Sequence, residues 1–165
     1  MTTLMATYYT YTDSPIGTLL LAGDGDNLHT LGFPGGKMQR RHEPGWIEDA
    51  APFAQAIEQL RAYFAGELER FDLPLAPAGT EFQRKVWAAL QDIPYGETRS
   101  YGELARQVGN GKASRAVGAA NGRNPIPVII PCHRVVGSDG SLTGFGGGLE
   151  TKRRLLDLEL TTLVK

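Results

Sequence analysis

The run Leu73-Pro74-Leu75-Ala76-Pro77-Ala78-Gly79 constrains this chain more than any other stretch. Two prolines and a glycine so close together suit neither a helix interior nor a central strand. The run therefore reads as a linker, and the text changes period across it. Before it, Tyr8 to Thr12 alternates aromatic and hydroxyl residues, and Thr18-Leu19-Leu20-Leu21-Ala22 is a short apolar run. Gly23-Asp24-Gly25-Asp26-Asn27 is a turn signal, so Leu28 to Phe33 is the returning strand of a hairpin. Residues 34–48 read as loop. Phe53, Ile57, Leu60 and Phe64 then recur on one helical face that stops at Gly66. These features predict a small α/β domain with its linker over residues 1–76 and a second domain over 77–165.

The second domain is punctuated by helix starts. Thr80-x-x-Gln83 has the form of a capping box and precedes Phe82, Val86, Leu90 and Ile93 on one face, before Pro94-Tyr95-Gly96 ends that helix. Ser100-x-x-Glu103 opens a second, short helix with Leu104 and Val108 turned inward. After Gly109-Asn110-Gly111, Lys112 to Asn121 reads as a third helix. Two short helices joined by a glycine-containing turn form the helix-turn-helix pattern. Apart from Lys112, Arg115 and Val117, the side chains of that third helix are small. Such a helix buries little core alone but lets its backbone approach a large partner closely.

Charge is divided unequally. Residues 1–79 hold 5 Lys and Arg against 10 Asp and Glu, whereas residues 80–165 hold 12 against 8. A basic half beside an acidic one is expected where one domain meets a polyanion, although ordinary compositional scatter gives the same arithmetic. The single cysteine excludes a disulfide framework and a Cys-rich zinc cage, and fits a reducing compartment. Met1 to Met5 has neither a basic nor an apolar segment, so no signal peptide is expected, and no apolar run is long enough to span a bilayer. A soluble, cytoplasmic protein follows as the expectation.

The chemistry concentrates around that cysteine. A lone Cys is usually a small buried hydrophobe. Here Val128-Ile129-Ile130 runs into Pro131-Cys132-His133-Arg134-Val135-Val136, where Pro131 fixes the backbone before the thiol and restrains Ile130 to an extended conformation. His133 and Arg134 supply a proton acceptor and a positive charge next in sequence, the surroundings a nucleophilic thiolate needs. Downstream, Gly144-Phe145-Gly146-Gly147-Gly148 has the backbone freedom to wrap a flat ligand, or to be a mobile surface loop.

Pro131-Cys132-His133-Arg134-Val135 resembles the active-site motif of the O6-alkylguanine-DNA alkyltransferases, the methylated-DNA–protein-cysteine methyltransferases. The likeness extends from Tyr95-Gly96-Glu97 through Arg115-Ala116-Val117-Gly118 and Asn124-Pro125 to Leu155-Leu156-x-x-Glu159. It is looser in the first half, at Ser14-Pro15-Ile16-Gly17 and Tyr63-Phe64-x-Gly66, and its size is that of the bacterial stand-alone form. The resemblance implies a ribonuclease H-like α/β first domain and a mostly α second domain with a winged helix-turn-helix-like core. It also implies direct, irreversible repair of O6-alkylguanine, and of O4-alkylthymine, with no cofactor.

Residue by residue, the resemblance makes Cys132 the alkyl acceptor, His133 a base acting through water, and Glu159 the carboxylate that orients His133. A thiol so coupled is expected to react below the free-cysteine pKa of about 8.5. Tyr101 would donate to the guanine ring at N3. Asn124 would brace the Cys loop. Asn121, Val135, Phe145 and Gly146 would line the substrate pocket, with backbone groups near Val135 and Gly146 on O6 and the exocyclic amine. The target nucleotide must leave the stack, so Arg115 would fill the gap and Tyr101 would push the phosphate. Asn110, Ala113, Ala116 and Ser138 fall where DNA contacts are expected, with the third helix in the minor groove. The partner implied is double-stranded DNA, bound by a chain that is monomeric in solution and able to bind cooperatively.

Two departures from the family pattern stand out. Phe145 replaces the tyrosine that many members carry, removing a hydroxyl from the loop. The cysteines of the zinc site in some mammalian members are absent, so His29 and His42 read as surface residues and no metal is expected. Two other functions compete. A damage sensor of the alkyltransferase-like class lacks the cysteine that Cys132 supplies. A Cys-His hydrolase needs a direct thiol–imidazole pair, which adjacent residues are poorly placed to make.

Overall fold

A computed structural model describes residues 6–35, 39–109, 111–142, 145 and 148–163. The chain divides into two compact units, Met1–Pro77 and Ala78–Lys165.

In the first unit, alternating residues make Tyr8–Ser14 (β1) and Gly17–Gly23 (β2) an antiparallel pair, with Tyr9 opposite Ala22 and Tyr11 opposite Leu20. Their turn is Ser14-Pro15-Ile16-Gly17. Ser14 Oγ accepts from the Ile16 N–H and donates to the Gly17 carbonyl, and Gly17 takes a φ of 107°, open to glycine at little cost. Leu28–Gly32 (β3) returns beside β2. Between them Asp24 accepts from the Asp26 and Asn27 amides at 2.8 and 2.7 Å, and those bonds hold its carboxyl down at about 2.

The sheet runs β3-β2-β1-β4, because Ile47–Glu48 (β4) joins β1 in parallel. The loop expected over 34–48 thus ends in a strand too short to show a period. His42, expected at the surface, is exposed but stacks on Tyr9 at 4.2 Å, and His29 lies 3.1 Å from Asp24. Ala54–Phe64 (α1) follows a 3-10 turn at Ala51–Phe53. Its buried residues are Ala56, Leu60 and Tyr63 after Phe53, while Ile57 and Phe64 are only half-buried. The apolar face is therefore rotated from the one its large residues mark. The linker also does structural work: the Leu28 N–H donates to the Pro74 carbonyl and the Ala76 N–H to the Leu28 carbonyl.

In the second unit Glu81–Gln91 (α2) and Tyr101–Gln107 (α3) both start with complete capping boxes, at Thr80/Gln83 and Ser100/Glu103. The next helix, Ser114–Gly122 (α4), begins after Lys112, with Ala113 as an N-cap that makes no side-chain bond. Val117, Ala120 and Asn121 are its buried residues, and the Trp87 indole N–H donates to the Ala120 carbonyl at 2.8 Å. Arg99–Ser100 (β5) and Val135–Val136 (β6) form a two-stranded parallel pair. Leu149–Leu163 (α5) closes the unit. Among the described residues no helix is long and apolar enough to cross a membrane.

Candidate active site

The thiol sits where a tightly folded loop meets β6. From Asn124 the chain turns through Ile126, whose carbonyl accepts the Ile130 N–H at 2.9 Å. Val128, buried and β-branched, is held at a φ of 74°, a strained conformation for such a side chain. Pro131, at φ −80° and ψ 65°, has inverse γ-turn geometry, and the Cys132 N–H donates across it to the Ile130 carbonyl at 2.8 Å. Cys132, His133 and Arg134 then form a single 3-10 turn, all three buried. Proline before the thiol thus sets a turn.

Asn124 holds this loop from inside. Its Nδ2 donates to the Ile130 carbonyl at 2.8 Å and its Oδ1 accepts the Ile126 N–H at 2.9 Å. Its side chain also hydrogen-bonds the Cys132 thiol. The thiol is only 5% exposed. Burial pushes its pKa up to about 11, against the opposing pull of Asn124 and of the Lys152 charge. That reverses the direction expected from the sequence. The desolvation of a fully enclosed sulfur outweighs its polar neighbours, so the resting group is a protonated thiol.

His133 Nε2 lies 2.7 Å from Glu159 Oε2, with both side chains at 0% exposure. Burial lowers the pKa of the imidazole despite that carboxylate, leaving it neutral at pH 7. Burial alone would raise Glu159, but hydrogen bonds and charge from its partners hold it at about 2. Arg134 supplies the lasting charge: its Nε and NH2 donate to the two carboxylate oxygens at 2.9 and 3.0 Å. The Gly96 N–H adds a bond of 3.0 Å. With the carboxylate ionised, Nε2 must carry the imidazole proton. Nδ1 is then an acceptor, and it is buried without a hydrogen-bond partner among the described residues.

Arg134 consequently serves the carboxylate and not the sulfur. It also donates to the Ile93 carbonyl at 2.7 Å and lies 5.6 Å from the Tyr95 ring centroid. The cation that acts on the thiol is Lys152, which sequence reasoning missed. Lys152 is 0% exposed on α5 and donates to the Val135 carbonyl at 2.6 Å. Its signal was its spacing. Lys152, Leu155 and Glu159 fall at i, i+3 and i+7, so two charged residues share the buried stripe of one helix.

The other expected residues divide into groups. Tyr101 follows β5 as the first residue of α3, and its ring lies close to Gly118 on α4. Val135 opens β6 directly after the Cys132 turn. Asn121 is 3% exposed in the last turn of α4. Arg115 and Ala116 are exposed on α4, Ala113 is half-buried at its start, and Ser138 is exposed in the turn after β6. Phe145 is half-buried and accepts the Gly148 N–H. Asn110 and Gly146 lie outside the described residues.

Two family models match the chain. The 6-O-methylguanine DNA methyltransferase DNA-binding domain covers residues 81–161, and the ribonuclease-like domain of the same family covers residues 7–77. The methylated-DNA–protein-cysteine methyltransferase of Methanosarcina acetivorans is 57% identical, covering 92% of this chain and 97% of its own. That of Mycolicibacterium paratuberculosis is 56% identical, covering 92% and 91%. The crystal structure of Mycobacterium tuberculosis OGT in complex with DNA superposes with a TM-score of 0.88 at 53% identity, over 94% of each chain.

Proposed function

The chain belongs to the 6-O-methylguanine DNA methyltransferase family, and from that premise we propose that Cys132 takes the alkyl group from O6 of a flipped guanine and keeps it. The observation that carries this reading is one buried thiol, Cys132, next in sequence to a buried imidazole, His133, that is hydrogen-bonded to Glu159, itself held by Arg134. The protein is a methylated-DNA–protein-cysteine methyltransferase that repairs DNA directly.

A thiol held at about 11 is not a standing nucleophile at neutral pH. Its proton must leave as the attack proceeds. The neutral His133, with Nδ1 as acceptor and Nε2–H fixed on Glu159, is suited to take that proton through one water. Lys152 and the Asn124 amide stabilise the negative charge that develops on sulfur. The Sγ–C bond forms as the C–O6 bond breaks, and the electron pair remains on the guanine. There a hydrogen bond from Tyr101 to N3 would offset the growing charge. The guanine anion then takes up a proton at N1, matched by the one His133 gives up to water, so the product is a thioether and an intact base. A thioether sulfur has no easy leaving group to give back, so in this reading each molecule acts once.

Reaching O6 requires the nucleotide to leave the duplex, which costs a few kcal/mol. The exposed face of α4, with Ala116 and Ala119 beside Arg115, suits close approach to the minor groove. Arg115 is the side chain long enough to enter the vacated stack. We assign Ala113, Asn110 and Ser138 as further DNA contacts, and Asn121, Val135, Phe145 and Gly146 as the lining of the base pocket. In this reading the protein is cytoplasmic, monomeric in solution and able to bind duplex DNA cooperatively.

The test is a peptide map after exposure to duplex DNA containing O6-methylguanine. A mass gain of one methylene unit is expected on the Cys132 peptide and on no other, and Cys132→Ser should bind the duplex without gaining mass. Label on another residue, or transfer by Cys132→Ser, would overturn the reading.

A further inference from the structure

Among the described residues, His133 Nδ1 and Asn121 Oδ1 are buried side-chain acceptors with no hydrogen-bond partner. The relay employs the first. It leaves the second unexplained. Asn121 shares its buried helix face with Val117 and Ala120, where an apolar side chain would pack without desolvating a carboxamide. Its backbone carbonyl accepts the Asn124 N–H at 3.4 Å, closing the turn that leads to Asn124. The Asn124 side chain in turn bonds the Cys132 thiol. An acceptor in need of a donor therefore stands one closed turn from the residue that touches the sulfur.

A simple alkyl group brings no donor to that oxygen, whereas a hydroxyalkyl group does. We propose that Asn121 is a specificity-determining residue whose Oδ1 accepts a hydrogen bond from a hydroxyl on the alkyl group being transferred to Cys132. The favoured lesions are then hydroxyalkyl ethers of guanine O6, such as O6-(2-hydroxyethyl)guanine, over the apolar ether of equal length, O6-propylguanine. This rests on the reading that Cys132 is the alkyl acceptor. The covalent step is unchanged: Sγ–C forms, C–O6 breaks, and the distal hydroxyl takes no part in it. Discrimination arises because the propyl chain leaves the buried carboxamide oxygen unpaired during transfer, and the hydroxyethyl chain does not.

Single-turnover rates on duplexes carrying O6-methyl-, O6-(2-hydroxyethyl)- and O6-propylguanine test this, each protein's rates being divided by its own O6-methyl rate. The native chain should favour hydroxyethyl over propyl by about tenfold. Asn121→Leu, close in size but without an acceptor, should bring that ratio to one or below. Asn121→Ala, which removes the acceptor without adding branched bulk, should do the same and keeps the test alive if the leucine variant fails to fold. A native ratio of one or less, or a ratio that survives both substitutions, would overturn the proposal. Absence of any transfer from O6-methylguanine by the native chain would instead strike the reading beneath it, and this inference with it.

Discussion

Lys152 shows how a residue acquires a role from its surroundings alone. Replacing it with Met keeps most of the unbranched side chain and removes the cation that opposes desolvation of Cys132. Lys152→Met should slow single-turnover transfer about tenfold, the cost of about one unit in the thiol pKa. It should also move the rising limb of the rate–pH profile to higher pH; an equal loss at every pH would assign the residue to packing. Acid stability tests the neighbouring pair. Glu159 sits at about 2 in the folded chain against an ordinary 4.5, so its contribution is whole above pH 4.5 and is lost as pH falls toward 2. Burial lowers His133 from 6.5, so below that pH the unfolded chain binds a proton that the folded one refuses. Both effects weaken the fold on acidification. Urea midpoints should therefore fall from pH 6.5 downward and again below 4.5. Glu159→Gln should lose the second stage and lower the neutral plateau by roughly 3–5 kcal/mol, since it strands buried Arg134; an unchanged acid profile would contradict the pairing. Cys132 and His133 were legible because their chemistry is contiguous in sequence. Glu159 was legible only through the family resemblance, because its burial depends on partners 63 and 25 residues away, Gly96 and Arg134.

At the scale of elements, local signals were read correctly where the physics is local. Both capping boxes, the Asp24 turn and the first two strands formed as their residues dictate. Elements held by distant pairing were not legible. β4 has only two residues, and the bond between Leu28 and Pro74 turned part of the linker into an edge of the sheet. The α1 face was misjudged because size was taken for burial: Ala56 fills a tighter place than Phe64. The helix-turn-helix carries its own prediction. Arg115 projects from an α4 surface of small residues, which suits occupation of a vacated base stack. Arg115→Ala should sharply reduce transfer from a lesion in duplex DNA and scarcely change transfer from free benzylated guanine, which needs no flipping. A parallel fall in both rates would make Arg115 a support of the fold or the thiol. Duplex affinity across salt concentrations separates stacking from charge, since a purely electrostatic contact would change mainly the salt slope.

For the whole molecule, the division of labour follows the charge. Cys132, His133 and the helix-turn-helix all belong to the unit Ala78–Lys165, and the positive balance of residues 80–165 belongs to the same half. The acidic half contributes a four-stranded sheet and one helix packed on β1. An alkyl acceptor of this kind is consumed by the reaction it performs. A titration decides it: a fixed amount of protein is mixed with increasing duplex O6-methylguanine, and methyl groups transferred are counted at long times. The count should rise with substrate and stop at one per protein molecule, with every methyl group on Cys132. A count that continues past one, with Cys132 recovered as a free thiol, would contradict the irreversible mechanism and require a step that releases the alkyl group.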